Sequence, residues 1–317
     1  VAEHARPTRL ISATRGDLVQ MGPRDLKAAI GASEGRVVMA QSLLFAEGLS
    51  LYVTNPELES AFGADMILLN GYSTLPGARI PGLRRSMMRP GEQLTLHELK
   101  ALVPQPVGVY FEAVTGDPDD RPVSFAGRQA TPENVGAALE QGADFVVLGG
   151  NPASGVLLEH VIASTRLIRA ELGDDPLLMA GKWEDGSLEP VLADPRGARP
   201  SVDVVRDLVD AGADVITLPA PGSRQGITTD MVRACVEAAH AHRPGTLALT
   251  FLNGSVEGAD PATIRAIGLL MKETGADIRA IGDGGMAGCP QPENLFQLCL
   301  TIKGAGHTYH RMAGNQR

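Results

Sequence analysis

Gly142–Gly150 reads GADFVVLGG, and the chain writes that phrase three more times: GADMILLNG at 63–71, GADVITLPA at 212–220 and GADIRAIGDGG at 275–285. Each opening glycine follows a helical pattern and suits the position just past a helix end, where a positive φ costs glycine little. TPENVGAALEQG (131–142) is the clearest such helix: Thr131 caps it, Pro132 takes the first helical position and Gly142 ends it. The short apolar run after each Ala-Asp reads as a strand covered on both faces.

The phrases begin 79, 70 and 63 residues apart. That is about twice one strand-plus-helix unit, which takes roughly 30 residues. A further strand is therefore expected between each pair, and PVGVYFEAV (106–114), LLMAGK (177–182) and TLALTFLNG (246–254) supply them, with RVVMAQ (36–41) ahead of the first phrase. Eight strands alternating with helices, and no dinucleotide-binding fingerprint after the first, predict an α/β chain folded as a single (β/α)8 TIM barrel over 1–317. An open doubly wound sheet is the alternative. Residues 1–34 read as an extension and a leading N-terminal helix, GPRDLKAAIGASEG, over the barrel floor, and 304–317 as a C-terminal tail.

The chain has 317 residues, 44% of them apolar, a formal charge of −9 and 4% aromatics. This acidity argues against nucleic acid or an anionic membrane as partner. Three cysteines without metal-ligand spacing, no apolar run of spanning length and no export signal lead us to expect a cytoplasmic protein. P-loop and HExxH motifs are absent.

In such a barrel the chemistry sits at the carboxyl ends of the strands. Those ends carry Gln41, Asn70, Glu112, Asn151, Lys182 with Glu184, the Pro219–Gly222 turn, Asn253 and Asp283. Lys182 ends an apolar strand, which makes it an electrostatic clamp, a Schiff-base amine or a structural ion-pair partner of Glu112 or Glu184. Glu112 and Asp283 are the companion catalytic candidates, and Asn70, Asn151 and Asn253 are placed to orient substrate oxygens. Gly282, Gly284, Gly285 and Gly288 lie between a strand and a helix, and LNGSVEG (252–258) adds Gly254 and Ser255. These two loops are read as the site of a phosphate or carboxylate. Arg128 and Arg121 lie after strand 3, and Arg79, Arg84, Arg85 and Arg89 after strand 2. Each is either a ligand for an anion or a solvated charge. Asp65, Asp144, Asp214 and Asp277 belong to the strand entrances and so to the floor. His307 and His310 lie in a segment read as a flexible tail or as an arm toward a neighbouring subunit of a homo-oligomer.

The segments AFGADMILLNGY, GRQATPENV, GGNPASGV, AGK, IGDGG with PEN, and GHTYHRMA resemble a family of bacterial barrels described as phosphoenolpyruvate phosphonomutase-like, over about Leu26–Ala313. Some members carry a haloacid dehalogenase-like hydrolase label. The chain is more distantly similar to the phosphoenolpyruvate mutase and isocitrate lyase superfamily. That resemblance implies lyase or isomerase chemistry on a small phosphorylated or carboxylated metabolite, with magnesium as cofactor. The superfamily's Asp-x-Asp pair at strand 3 and carboxylate after strand 4 are replaced here by Glu112 and Asn151. The dehalogenase label needs Asp-x-Asp on a strand end, whereas GDPDD (116–120) lies beyond Glu112. An aldolase-like Schiff-base enzyme and a non-catalytic metabolite-binding barrel are the other readings.

Overall fold

The computed structural model describes residues 8–85, 92–115, 126–184, 186–284 and 288–314. Eight strands run β1 (Val37–Leu43), β2 (Met66–Asn70), β3 (Val107–Glu112), β4 (Phe145–Gly149), β5 (Leu178–Gly181), β6 (Val215–Pro219), β7 (Leu247–Leu252) and β8 (Ile278–Ile281). All neighbours pair in parallel, and β1 closes on β8 through Val37–Ile278 to Ala40–Ile281. Helices α1 (Arg15–Gln20) and α2 (Pro23–Ala32) precede the barrel. Around it stand α3 (Asn55–Ala61), α4 (Leu96–Leu102), α5 (Pro132–Glu140), α6 (Leu158–Leu172), α7 (Ser201–Asp210), α8 (Thr229–His242), α9 (Pro261–Glu273) and α10 (Pro292–Gly314). The single TIM barrel expected from the repeat spacing is the observed fold.

The four repeated phrases open β2, β4, β6 and β8, and their shared residues do one job. Each glycine has a positive φ (100°, 109°, 105° and 80° for Gly63, Gly142, Gly212 and Gly275), which turns the chain from helix into strand. Each aspartate then clamps the start of the preceding strand. Its carboxylate accepts a backbone N–H: Asp65 from Val38 (2.9 Å), Asp144 from Val107 (2.8 Å), Asp214 from Leu178 (3.1 Å) and Asp277 from Ala248 (2.8 Å). Its own N–H donates to the carbonyl of the same residue, at 2.8 Å in all four cases. Every clamp also has a positive or protonatable partner: Lys303 and Arg311 for Asp65, Lys100 for Asp144, Lys27 and Arg169 for Asp214, and His240 for Asp277. The floor assignment of these aspartates is thus explained by hydrogen bonding as well as by position.

The leading helix covers the floor as expected: Leu26, Ala29 and Ile30 pack in one cluster with Val37, Val215 and Leu247 at the strand entrances. The C-terminal segment differs from expectation. Residues 304–314 are the second half of α10, broken at Gly304 (φ 75°), and not a tail. Lys303 and Arg311 both reach Asp65, and Arg311 also donates to the carbonyls of Leu10 and Ala13. The buried Asp65 carboxylate ties both halves of this helix back under its own barrel, where leaving any of these charges without its partner would be costly. His307 is partly buried and His310 exposed.

Inside the barrel, glycine makes room for aromatics. A Cβ on Gly108 would fall 2.2 Å from the Phe145 ring, and one on Gly149 would fall 2.8 Å from the Trp183 ring and 2.9 Å from the Tyr110 hydroxyl. Trp183 stacks on Phe251 (centroids 5.1 Å, planes 4° apart) and meets Tyr110 edge to face. These rings close the barrel beneath its carboxyl end.

Candidate active site

Two carboxyl–amide pairs stand on that aromatic floor. In the first, Asn151 just past β4 donates to Glu112 at the end of β3 (2.8 Å), and the Asn70 amide at the end of β2 donates to Asn151 Oδ1 (2.9 Å). The chain returning from the β3 loop pairs with this strand end: Glu112 N donates to Arg128 O, and Ala130 N to Glu112 O. Arg128 is thereby carried to the mouth, where its guanidinium lies 4.5 Å from the Phe45 ring centroid. Burial lowers its pKa while the Glu112 charge opposes that shift, so a cation stands beside Glu112. Sequence position alone had nominated Asn70, Glu112, Arg128 and Asn151, and the structure brings these four together.

In the second pair, Asn253 just past β7 donates to Glu184 Oε2 (2.8 Å). Glu184 is 5% exposed, and its Oε1 has no hydrogen-bond partner. Burial pushes its pKa up to about 8; Arg224 and the Asn253 bond pull it down, while Asp283 and Glu257 push it further up. Asp283, at the end of β8, also raises Glu59, whose pKa is lifted well above the usual carboxyl range first by complete burial. Ser42 donates to Glu59 at 2.9 Å.

The pH dependence of stability follows with a definite sign. Glu184 holds its proton in the fold up to about pH 8, while the unfolded carboxyl releases it near 4.5. The stability this group contributes is complete below 4.5 and is lost as pH rises through about 8. Glu184→Gln should therefore match the wild type in urea denaturation at pH 4.5 and exceed it at pH 9. Equal stabilities at pH 9 would show that Glu184 ionises normally.

The loops after β7 and β8 depart from expectation. Gly254 and Ser255 both have positive φ (109° and 79°), which shapes the predicted concavity of amides. Glu257 fills it: burial raises its pKa, and the amides of Glu257, Ser255 and Gly254 donate to it and oppose the shift. A built-in carboxylate thus occupies the loop assigned to a substrate anion. Gly254 and Ser255 serve Glu257, which the sequence reading missed because a glutamate two residues past Ser255 looks like surface charge. Gly282 packs against Asn253 and Glu257, and Gly284 against Gly258, so these glycines bring the two loops together. Gly285 lies outside the described residues.

Lys182 also lands differently. Leu178 and Ala180 face the outer helices, whereas Met179 and Trp183 face the barrel interior. Lys182 shares the outward parity. It is 1% exposed, and its ammonium donates to Val156 O in the loop after β4 (2.7 Å). The residue aimed inward is Trp183, which the sequence reading passed over. Arg224, another unforeseen group, comes from the loop after β6 and lies against Gly254, within 3.2 Å of where a Cβ there would be.

Of the loop arginines, Arg84 pairs with Glu47, and Arg79 and Arg85 are exposed. Arg89, Arg121 and the GDPDD segment lie outside the described residues. Among the described residues no group of three or more His, Cys, Asp or Glu side chains is arranged to hold a metal ion. No helix among them is long and apolar enough to cross a membrane.

Solved structures share the architecture. The carboxyl transferase domain of Rhizobium etli pyruvate carboxylase, solved with pyruvate, superposes with a TM-score of 0.52 at 14% identity, covering 98% of this chain and 54% of the other. The chain therefore spans about half the length of that structure. The HMG-CoA lyase from Brucella melitensis gives a TM-score of 0.46 at 16% identity, covering 80% of this chain and 83% of the other. 2,3-Dimethylmalate lyase, a PEP mutase/isocitrate lyase superfamily member, gives 0.43 at 17%, covering 85% and 81%. At 14% identity the likeness to the carboxyl transferase domain is one of fold. No curated protein matches the chain. The family model described as Domain of unknown function (DUF7916) matches residues 11–317, and the chain belongs to that family.

Proposed function

We propose that the protein is an enzyme acting on a small carboxylated metabolite by proton transfer next to a carbonyl, in the manner of a lyase or isomerase. The observation that carries this reading is the pair of asparagine-oriented carboxyls at the barrel mouth, held in unlike surroundings. Glu112 has Arg128 beside it, whereas Glu184 is buried among Glu257 and Asp283 with its pKa near 8. Two carboxyls whose environments differ in this way divide acid and base roles between them. Glu112 is the base, oriented by Asn151 and Asn70. Glu184 is the acid, oriented by Asn253 and tuned by Asp283. Arg128 holds the substrate carboxylate. Lys182 supports the site by fixing the loop after β4 from below. No step of this scheme uses a metal.

The first test is solvent exchange. Pyruvate, 2-oxobutyrate and oxaloacetate incubated with the protein in heavy water should gain deuterium at the carbon next to the carbonyl, read by proton NMR. If none of them exchanges above the protein-free rate, the reading is overturned.

A further inference from the structure

Trp183 and Glu184 are consecutive, yet both reach past β6 to the same face of β7. Trp183 stacks on Phe251, and Glu184 accepts from Asn253, two residues further on. A two-residue step along a strand is about 7 Å. The Glu184 carboxyl therefore stands one layer above the Trp183 ring. The far edge of the indole's six-membered ring abuts Gly149 on β4, so the ring bearing the N–H is turned away from β4. Trp183 is 1% exposed and its Nε1 has no hydrogen-bond partner, and the same holds for Glu184 Oε1 at 5% exposure. Buried polar atoms without partners are uncommon, because each forfeits the hydrogen bonds it made to water. Two of them on adjacent residues in adjacent layers mark a place for a ligand atom.

We propose that Trp183 Nε1–H and the Glu184 carboxyl together hold one carbonyl-type oxygen of the substrate, making Trp183 the residue that selects ligands bearing such an oxygen. The inference rests on the proposed enzyme reading and adds a substrate class: acids with a carbonyl oxygen beside the carboxylate. As charge gathers on that oxygen, both donors strengthen their hold on it, which is how an oxyanion site favours an enolate. The charged groups facing Glu184 are Arg224 from the β6 loop, Glu257 from the β7 loop and Asp283 at the end of β8. Arg224 favours the ionised form of Glu184 and the two acids favour the neutral, donating form.

Pyruvate and propionate differ in that single oxygen, so calorimetric titration of the intact protein with each is the test. Pyruvate should bind the wild type at least about tenfold more tightly than propionate, the value of one buried hydrogen-bond donor. Trp183→Phe keeps the ring stack and removes the N–H, and should narrow the difference about tenfold by weakening pyruvate alone, with the Glu184 carboxyl still donating. Wild-type affinity for pyruvate should fall as pH rises through about 8, and Glu184→Gln, whose amide donates at every pH, should remove that dependence. Because Trp183 is the chain's one tryptophan, its fluorescence reports pyruvate binding directly. Equal affinities in the wild type, no pyruvate binding, or a Trp183→Phe protein that discriminates as the wild type does would overturn the cradle. The enzyme reading fails separately, through an absence of solvent exchange with any of the acids above.

Discussion

Asp65→Ala should destabilise the barrel by about 3–5 kcal/mol, more than the same change at any of the other three repeat aspartates. All four lose an acceptor for a strand amide, worth roughly 1 kcal/mol each. What differs is the company left behind. Lys303 and Arg311 have side chains 0% and 3% exposed, so removing Asp65 strands two cations in a dry site. Lys100 and His240, beside Asp144 and Asp277, are 31% and 38% exposed and regain water when the carboxylate goes. Exposed pairs of that kind contribute about 1 kcal/mol or less. Urea denaturation of the four alanine variants gives the ranking. If Asp65→Ala were no worse than Asp144→Ala, the buried pair would not be what secures α10 to the floor.

That prediction also marks where the sequence is legible. The repeated Gly-Ala-Asp could be read because the helix stop, the aspartate and the strand are neighbours in the chain. Spacing then supplied the missing odd strands. The aspartates' partners could not be read, since Lys303 and Arg311 lie 238 and 246 residues from Asp65. For the same reason the end of α10 looks like a tail when it is a helix drawn under the barrel.

At the mouth, residues that end strands were found by position: Asn70, Glu112, Asn151 and Asn253 all take part in the two carboxyl–amide pairs. Lys182 was misjudged because LLMAGK is apolar on both faces, which hides which residues point inward. Parity becomes visible only once Met179 and Trp183 are seen in the interior cluster. Glu257 was hidden by a different effect. A loop built to bind an anion reads the same in sequence whether the anion arrives from solvent or from the loop itself.

The second large effect concerns Glu112. Gln keeps the shape of Glu112 and an oxygen to accept from Asn151, so the hydrogen-bonded frame of Asn70, Asn151 and Arg128 should survive the change. The variant lacks a group basic enough to take a proton at neutral pH. Loss of a positioned general base typically slows proton transfer by about 10²–10⁴-fold. Binding should change far less, because Arg128, the proposed partner of the substrate carboxylate, is unaltered. The deciding measurement is the rate of deuterium incorporation into the exchanging acid at neutral pH, wild type against Glu112→Gln, with thermal melting to confirm equal folding. A loss of about a hundredfold or more with unchanged melting is the predicted result. An equal rate in the two proteins would contradict the assignment of the reaction to this end of the barrel.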